Sequence, residues 1–218
     1  MADHDEVWRA VDAQRAAIAD LLDDLAPDEW DVPSLCSAWR VRDVAAHLTL
    51  AHMPAGRATL AVLRARGSFH RMIRDTAVRQ ARLPAEQFAP MLRAMVGSRR
   101  TAPLITPLEP LIDSLVHGQD IAIPLARDLP MPTAAAATAA TRVWSAQWLF
   151  RPRRKLGPVR LVATDHTWAE GEGPTVEGPM SAILLLLAGR TPAALPRLTG
   201  PGLPTIESRA AAASRPAA

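Results

Sequence analysis

The sequence contains almost no cysteine and almost no lysine. Cys36 is the only cysteine among 218 residues, which excludes an intrachain disulfide and a CxxC redox centre. Lys155 is the only lysine, so the basic side of the composition is made of arginine. The formal net charge is only +3, and the basic residues do not cluster as a nucleic-acid surface requires. The cysteine usage fits a reducing compartment, and we expect a cytoplasmic protein that binds no nucleic acid.

Export signals and long apolar runs are also missing. The stretch MADHDEVWRAVDAQ is acidic and lacks the basic-then-apolar order of a secretory signal. The apolar run AILLLLAG near residue 185 is well short of the ~20 residues that a membrane-spanning helix needs. The densest cationic run, residues 151–155, contains a proline and is predicted to be a solvated loop between two elements. We therefore expect no membrane association.

Helical periodicity dominates the first two thirds of the chain, and 49% of the residues are apolar, enough to bury a core. The pattern predicts a bundle of four or five long helices. The predicted helical stretches are residues 7–25, 41–51, 56–66, 69–82, 84–96, 108–126 and 132–150.

The pattern changes after RPRRKLGP. Residues 159–165 alternate in the manner of a β-strand, the glycine-rich stretch 166–179 has room for a second short strand, and residues 180–190 form a strongly apolar helix. The fold class is therefore predicted as mainly α, with a small C-terminal α/β domain. We place the helical, metal-binding domain at residues 1–151, the α/β domain at 152–208 and a disordered tail at 209–218.

An acid and a histidine in DSLVHGQDI, Asp113 and His117, are spaced to face a common centre. Side chains four residues apart on a helix have Cβ atoms about 6 Å apart, so both can reach one metal ion. A catalytic zinc site usually takes three protein ligands and keeps one position open. His47, in the apolar stretch VAAHLTL, is the best third candidate. The spacing also leaves two structural alternatives open: Asp113 and His117 form a solvated surface pair, and His47 is a core histidine.

Other residues with chemically active side chains lie near these motifs or elsewhere in the chain. Asp43, one turn before His47, either orients that histidine or serves the first turn of its helix, and Asp120 has the same ambiguity. Cys36 is interpreted as a small packing residue because no basic residue can be argued into its reach. Three further histidines are left unassigned: His52, His70 and His166.

Three stretches together resemble the DinB-like, mycothiol-dependent maleylpyruvate isomerase family of actinobacteria. They are EWDVPSLCSAWRVRDVAAHLT (29–49), DSLVHGQDIAIPL (113–125) and VEGPMSAILLLLAGR (176–190). The resemblance implies a DinB-like bundle that holds a divalent metal ion, expected to be Zn²⁺, through His47, Asp113 and His117. It also implies that Arg190 binds an anion in catalysis, although an arginine after an apolar helix can equally be a C-terminal cap.

The resemblance implies a reaction as well. Family members use mycothiol or a similar thiol for cis–trans isomerisation of a small electrophile or for thiol transfer to it, so a small-molecule substrate and a thiol are the expected partners of a monomer or homodimer. The characterised isomerase has glutamate where this chain has Asp113, one methylene shorter. Two alternatives stay open, a metal-dependent hydrolase and a non-catalytic binding or regulatory protein on the same scaffold.

Overall fold

The computed structural model describes residues 3–52, 69–101, 106–146 and 151–213. These residues form mainly helices and one small sheet, as the sequence predicted, and the fold class is confirmed. The chain divides into two compact units, Met1–Pro130 and Met131–Ala218. In the described ranges, no helix is both long enough and apolar enough to span a bilayer.

Five α-helices lie in the described part of the N-terminal unit. They are α1 (His4–Asp23), α2 (Val41–Leu48), α3 (Phe69–Gln80), α4 (Phe88–Arg93) and α5 (Leu108–Ala122), with 3₁₀ turns at Glu29–Asp31, Thr49–His52 and Ala85–Gln87. Helix α1 packs against α4 and α5, and α2 packs against α3 and α5. Since α2 and α5 are neighbours, the two helices that carry the candidate ligands face each other in one core.

The apolar stripe of α1 is broken by two buried polar side chains. Gln14 and Arg15 are each only 4% exposed, on the face that also buries Val11 and Ile18. The Gln14 amide donates to the Pro130 carbonyl at 3.0 Å, and the Arg15 guanidinium donates to the Met95 carbonyl at 2.9 Å. These bonds replace solvent, which allows both groups to be buried.

The described residues of the C-terminal unit form five α-helices and a three-stranded sheet. The helices are α6 (Thr133–Ser145), α7 (Pro152–Leu156), α8 (Met180–Leu187), α9 (Thr191–Ala194) and α10 (Leu203–Ala213), and the strands are β1 (Arg160–Ala163), β2 (Ala169–Gly171) and β3 (Thr175–Gly178). Strand β1 is central, antiparallel to β2 and parallel to β3. Leu161 pairs with both Glu170 and Val176 across the sheet.

Helix α8 is the core of this unit. Seven of its eight residues are buried, since it packs against α6 on one side and β1 on the other. The facing side of α6 is made of alanines, whose small side chains let the two helices approach. The Asp165 carboxylate begins α8 by accepting a bond from the Met180 amide at 2.8 Å.

Several boundaries differ from those expected from the sequence. The units divide after Pro130 rather than near residue 152, because the alanine-rich α6 packs on α8. Residues 209–213 belong to α10, which buries Ile206, so the predicted disordered tail begins too early. Two strands, β2 and β3, occupy the stretch expected to hold one. The predicted helix at 56–66, the end of the one at 132–150 and residues 214–218 lie outside the described residues.

Candidate metal centre

Three side chains from α2 and α5 meet at one point. His47 Nε2 lies 3.4 Å from Asp113 Oδ2, and His117 Nε2 lies 3.6 Å from Asp113 Oδ1. One possible ligand atom from each of the three residues lies within 4.8 Å of the other two. The two imidazole rings are edge to face, with centroids 4.9 Å apart. The structure therefore brings together the three residues singled out as metal ligands in the sequence.

The spacing of these atoms suits a tetrahedral cation. Bonds of roughly 2.0–2.2 Å at tetrahedral angles separate neighbouring ligand atoms by roughly 3.3–3.6 Å, a range that includes the two distances between His47, His117 and Asp113. The two histidine side chains are 15% and 14% exposed, whereas Asp113 is 45% exposed. The imidazoles are thus fixed by burial and the carboxylate side is open, so this geometry can hold a cation and leave a coordination position accessible.

Asp120 orients the His117 ring. Its carboxylate is fully buried and lies 2.8 Å from His117 Nδ1, one turn further along α5. A buried carboxylate favours the tautomer in which Nδ1–H donates, and that tautomer leaves the Nε2 lone pair facing Asp113. The sequence left Asp120 between two interpretations, and its contact with His117 favours the orienting one.

Asp43 serves the first turn of its helix. Its Oδ2 accepts the Arg40 backbone N–H at 2.9 Å and the Arg40 Nε–H at 3.1 Å, so it begins α2 rather than orienting His47. Asp43 also holds Arg40, whose bonds to Asp43 and Asp31 raise its pKa.

The loop before α2 supplies an aromatic wall for the histidines. Trp39 is 7% exposed, with its ring centroid 5.1 Å from that of His47 and 6.1 Å from that of His117. Ser34 closes the loop by donating to the Trp39 carbonyl at 2.8 Å. The Leu35 amide donates to the Asp120 carbonyl at 3.3 Å and attaches the loop to α5. Trp39 therefore covers one side of both imidazoles with apolar surface.

The glycine after His117 serves helix packing. A Cβ at Gly118 would lie 2.7 Å from Leu129 Cδ2 and 3.3 Å from two side-chain atoms of Ile18. The absence of a side chain lets α5 approach α1 closely at the turn that carries His117. In the His-Gly pair, His117 thus supplies the candidate ligand and Gly118 allows the close approach of α1 to α5.

Cys36 lies nearer to the site than the sequence suggested. A ligand atom of Cys36 is within 4.8 Å of one from His117 and one from Asp120, and the side chain is partly buried against the core. From the sequence, no histidine or other basic residue could be argued to lie in reach of Cys36, and the structure places His117 there. The reason is the loop attachment through Leu35, a contact between segments 85 residues apart that local spacing does not reveal.

Arg15 is a functional candidate that sequence reasoning missed. It lines a cavity of about 20 Å³ together with Asp113, large enough for one water molecule. Burial lowers the pKa of Arg15, and the carboxylates of Asp12 and Asp113 oppose that change. A buried cation therefore lies within electrostatic range of Asp113. Its place on the buried stripe of α1, at the spacing of Val11 and Ile18, is the signal that could have identified it.

Arg190 belongs to the C-terminal unit, whereas the three candidate ligands belong to the N-terminal unit. Its guanidinium donates to the Ala188 carbonyl at 2.7 Å, at the end of α8, and its own carbonyl begins α9. This contact fits the helix-cap interpretation. A role in catalysis stays a prediction.

The three unassigned histidines lie in different settings. Burial, together with Arg15 and Arg100, lowers the pKa of His52. His70 is in α3, and His166 is in the exposed turn between β1 and β2.

The comparisons with known proteins agree with the motifs. Residues 11–102 match the family model described as the mycothiol maleylpyruvate isomerase N-terminal domain. The chain is similar to the crystal structure of the mycothiol-dependent maleylpyruvate isomerase, with a TM-score of 0.63 and 13% identity over 92% of this chain and 93% of that one. A histidine-to-alanine mutant of the isomerase gives a TM-score of 0.62 and 14% identity over the same shares.

A significant match among curated proteins was not found. The two solved structures establish the fold, and the family model covers the segment that carries the first sequence motif and His47. The resemblance noted in the sequence is confirmed: residues 11–102 match the N-terminal-domain model of the mycothiol maleylpyruvate isomerases, and the fold is similar to that of the mycothiol-dependent maleylpyruvate isomerase.

Proposed function

We propose that the protein is a divalent-metal-dependent enzyme that uses a low-molecular-weight thiol, such as mycothiol, on a small electrophile. The reaction is cis–trans isomerisation of a conjugated double bond or thiol transfer to the electrophile. The observation that carries the proposal is the convergence of His47, Asp113 and His117, with atoms 3.4 and 3.6 Å apart, in a chain that matches the N-terminal-domain model of this family.

The donor set fits a zinc-like cation. Two neutral imidazoles and one carboxylate are ligands that such an ion accepts, and three protein ligands leave a position for an exogenous group. A bound divalent cation lowers the pKa of a thiol ligand and so favours the nucleophilic thiolate. Asp113 is one methylene shorter than the glutamate of the isomerase type, yet its two oxygens lie near both imidazoles. The shorter side chain is therefore compatible with the site.

The surrounding residues have separate tasks. Asp120 holds the His117 ring with Nε2 toward Asp113, and Trp39 covers one side of both rings and reduces water access there. Arg15 contributes a buried positive charge near Asp113, which favours a substrate that carries or develops negative charge. Arg190 is kept as a proposed anion-binding residue. If it binds an anion, its replacement would raise KM. If it is only a helix cap, its replacement would change stability alone.

The test is an isomerisation assay with the zinc-loaded full chain. Maleylpyruvate is incubated with and without mycothiol, and the cis and trans isomers are separated by chromatography. We expect conversion that requires both thiol and metal and is lost in His117→Ala. A parallel assay with a thiol-reactive fluorogenic electrophile detects transfer. Absence of both reactions with the wild type would refute the proposal. Equal rates for wild type and His117→Ala would refute it as well.

A further inference from the structure

A cavity in the C-terminal unit has no place in the function proposed above. It measures about 740 Å³, within the roughly 300–1,000 Å³ typical of small-molecule sites. Its lining comes from α6, α7, β1, β2 and α10, and the buried Trp144 forms an apolar part of the wall. We name it the arginine cavity, after Arg153, Arg154, Arg160 and Arg209, which line it.

These four arginines lack carboxylate partners. Across the described residues, no ion pair joins any of their guanidinium groups to an Asp or Glu. Two glutamates, Glu170 and Glu172, share the lining, which leaves an excess of two positive charges. Four neighbouring cations repel one another unless an anion is bound, so the cavity is electrostatically suited to an anionic ligand.

The arginine positions are supported by the backbone. Arg209 donates to the Arg154 carbonyl at 2.9 Å and so joins α10 to α7. A Cβ at Gly157 would lie 2.5 Å from Arg209 Nε, and this glycine has a φ of +83°. Gly157 therefore both ends α7 and leaves room for the Arg209 side chain. The Arg153 guanidinium lies 5.2 Å from the Trp144 ring centroid, where the aromatic face stabilises it.

We propose that the arginine cavity binds a small phosphate monoester. Guanidinium groups form paired hydrogen bonds with phosphate oxygens, and a monoester carries about −1.5 to −2 charges at pH 7, which matches the excess of two. Trp144 offers apolar surface to the organic part. Glu170 and Glu172 disfavour a long polyanion, whose successive phosphates would approach them, so the cavity fits a small molecule better than a nucleic acid.

The binding test uses the metal-free full chain, so that phosphate cannot bind to a metal ion. Phenyl phosphate, inorganic phosphate and benzoate are titrated by calorimetry at constant ionic strength. We expect saturable binding of phenyl phosphate, weaker binding of inorganic phosphate and still weaker binding of benzoate. Absence of saturable phenyl phosphate binding, or a preference for benzoate, would overturn the proposal.

The variant Arg154→Gln/Arg160→Gln locates the site. Both side chains are exposed and form none of the hydrogen bonds of the described residues, so the fold should persist, as circular dichroism would verify. We expect phenyl phosphate affinity to fall about tenfold or more. Lys155→Gln removes a neighbouring charge outside the lining and should leave affinity unchanged. Equal affinity of wild type and the double variant, or tighter binding of a single-stranded DNA oligonucleotide with the same variant dependence, would overturn the assignment.

Discussion

Replacing Asp120 with asparagine tests how the candidate metal centre is built. In the wild type the buried carboxylate fixes the proton on His117 Nδ1 at 2.8 Å and leaves Nε2 as a lone-pair donor. An asparagine of the same shape is neutral, and its N–H₂ group can donate to Nδ1 and move the ring proton to Nε2. Loss of such an orienting carboxylate typically weakens metal affinity about 10- to 100-fold, or roughly 1.4–2.8 kcal/mol.

The assay is a competition titration of metal-free protein with zinc and a chromophoric chelator. Asp43→Asn is the matched control, since Asp43 is a second buried carboxylate of the N-terminal unit that bonds Arg40 instead of a ligand. We expect the control to lower stability by on the order of 1 kcal/mol, as a weakened helix start does, and to keep its zinc affinity. Wild-type zinc affinity in Asp120→Asn would refute the orienting role.

Three other changes give separate tests. Asp113→Glu should retain zinc, because the open side of the cluster has room for one methylene. Asp113→Asn should lose most of the zinc affinity in the same titration. Equal zinc affinities of Asp113→Asn and wild type would argue against Asp113 as a ligand. Cys36→Ser should leave zinc affinity unchanged, since His117 Nδ1 is already bonded to Asp120, and a large loss would instead assign Cys36 to the ligand set. Hydrogen bonds from Arg127 and the Ala26 amide lower the pKa of Glu29, so its contribution to stability is present above the unfolded pKa near 4.5 and is lost as pH falls through the folded pKa. Glu29→Gln should therefore lower Tm at pH 7, with the difference from wild type vanishing at strongly acidic pH; a difference independent of pH would contradict this.

The sequence was most informative where chemistry follows helical spacing. Asp113 and His117 are four residues apart on α5, so their convergence could be predicted locally. His47 lies on another helix, and it was selected from its apolar surroundings and the family resemblance. The resemblance also supplied the third motif.

Local spacing could not decide what depends on contacts between distant segments. Asp43 and Asp120 each lie about one helical turn from a candidate histidine, His47 and His117. Asp43 nevertheless bonds Arg40, whereas Asp120 bonds His117. Cys36 reaches α5 because its loop is attached there, and Arg15 is buried because the Met95 carbonyl accepts a hydrogen bond from its guanidinium. The unit boundary was placed too late because an alanine-rich helix carries no local sign of the helix on which it packs.

The most direct test of the central claim is the zinc content of purified protein after loading and desalting. Wild type, His47→Ala and His117→Ala are compared by elemental analysis, with thermal unfolding to verify that each variant is folded. The account predicts about one zinc per wild-type chain and a large loss in both variants, since each removes one of three ligands. Equal zinc content in the three proteins would contradict it.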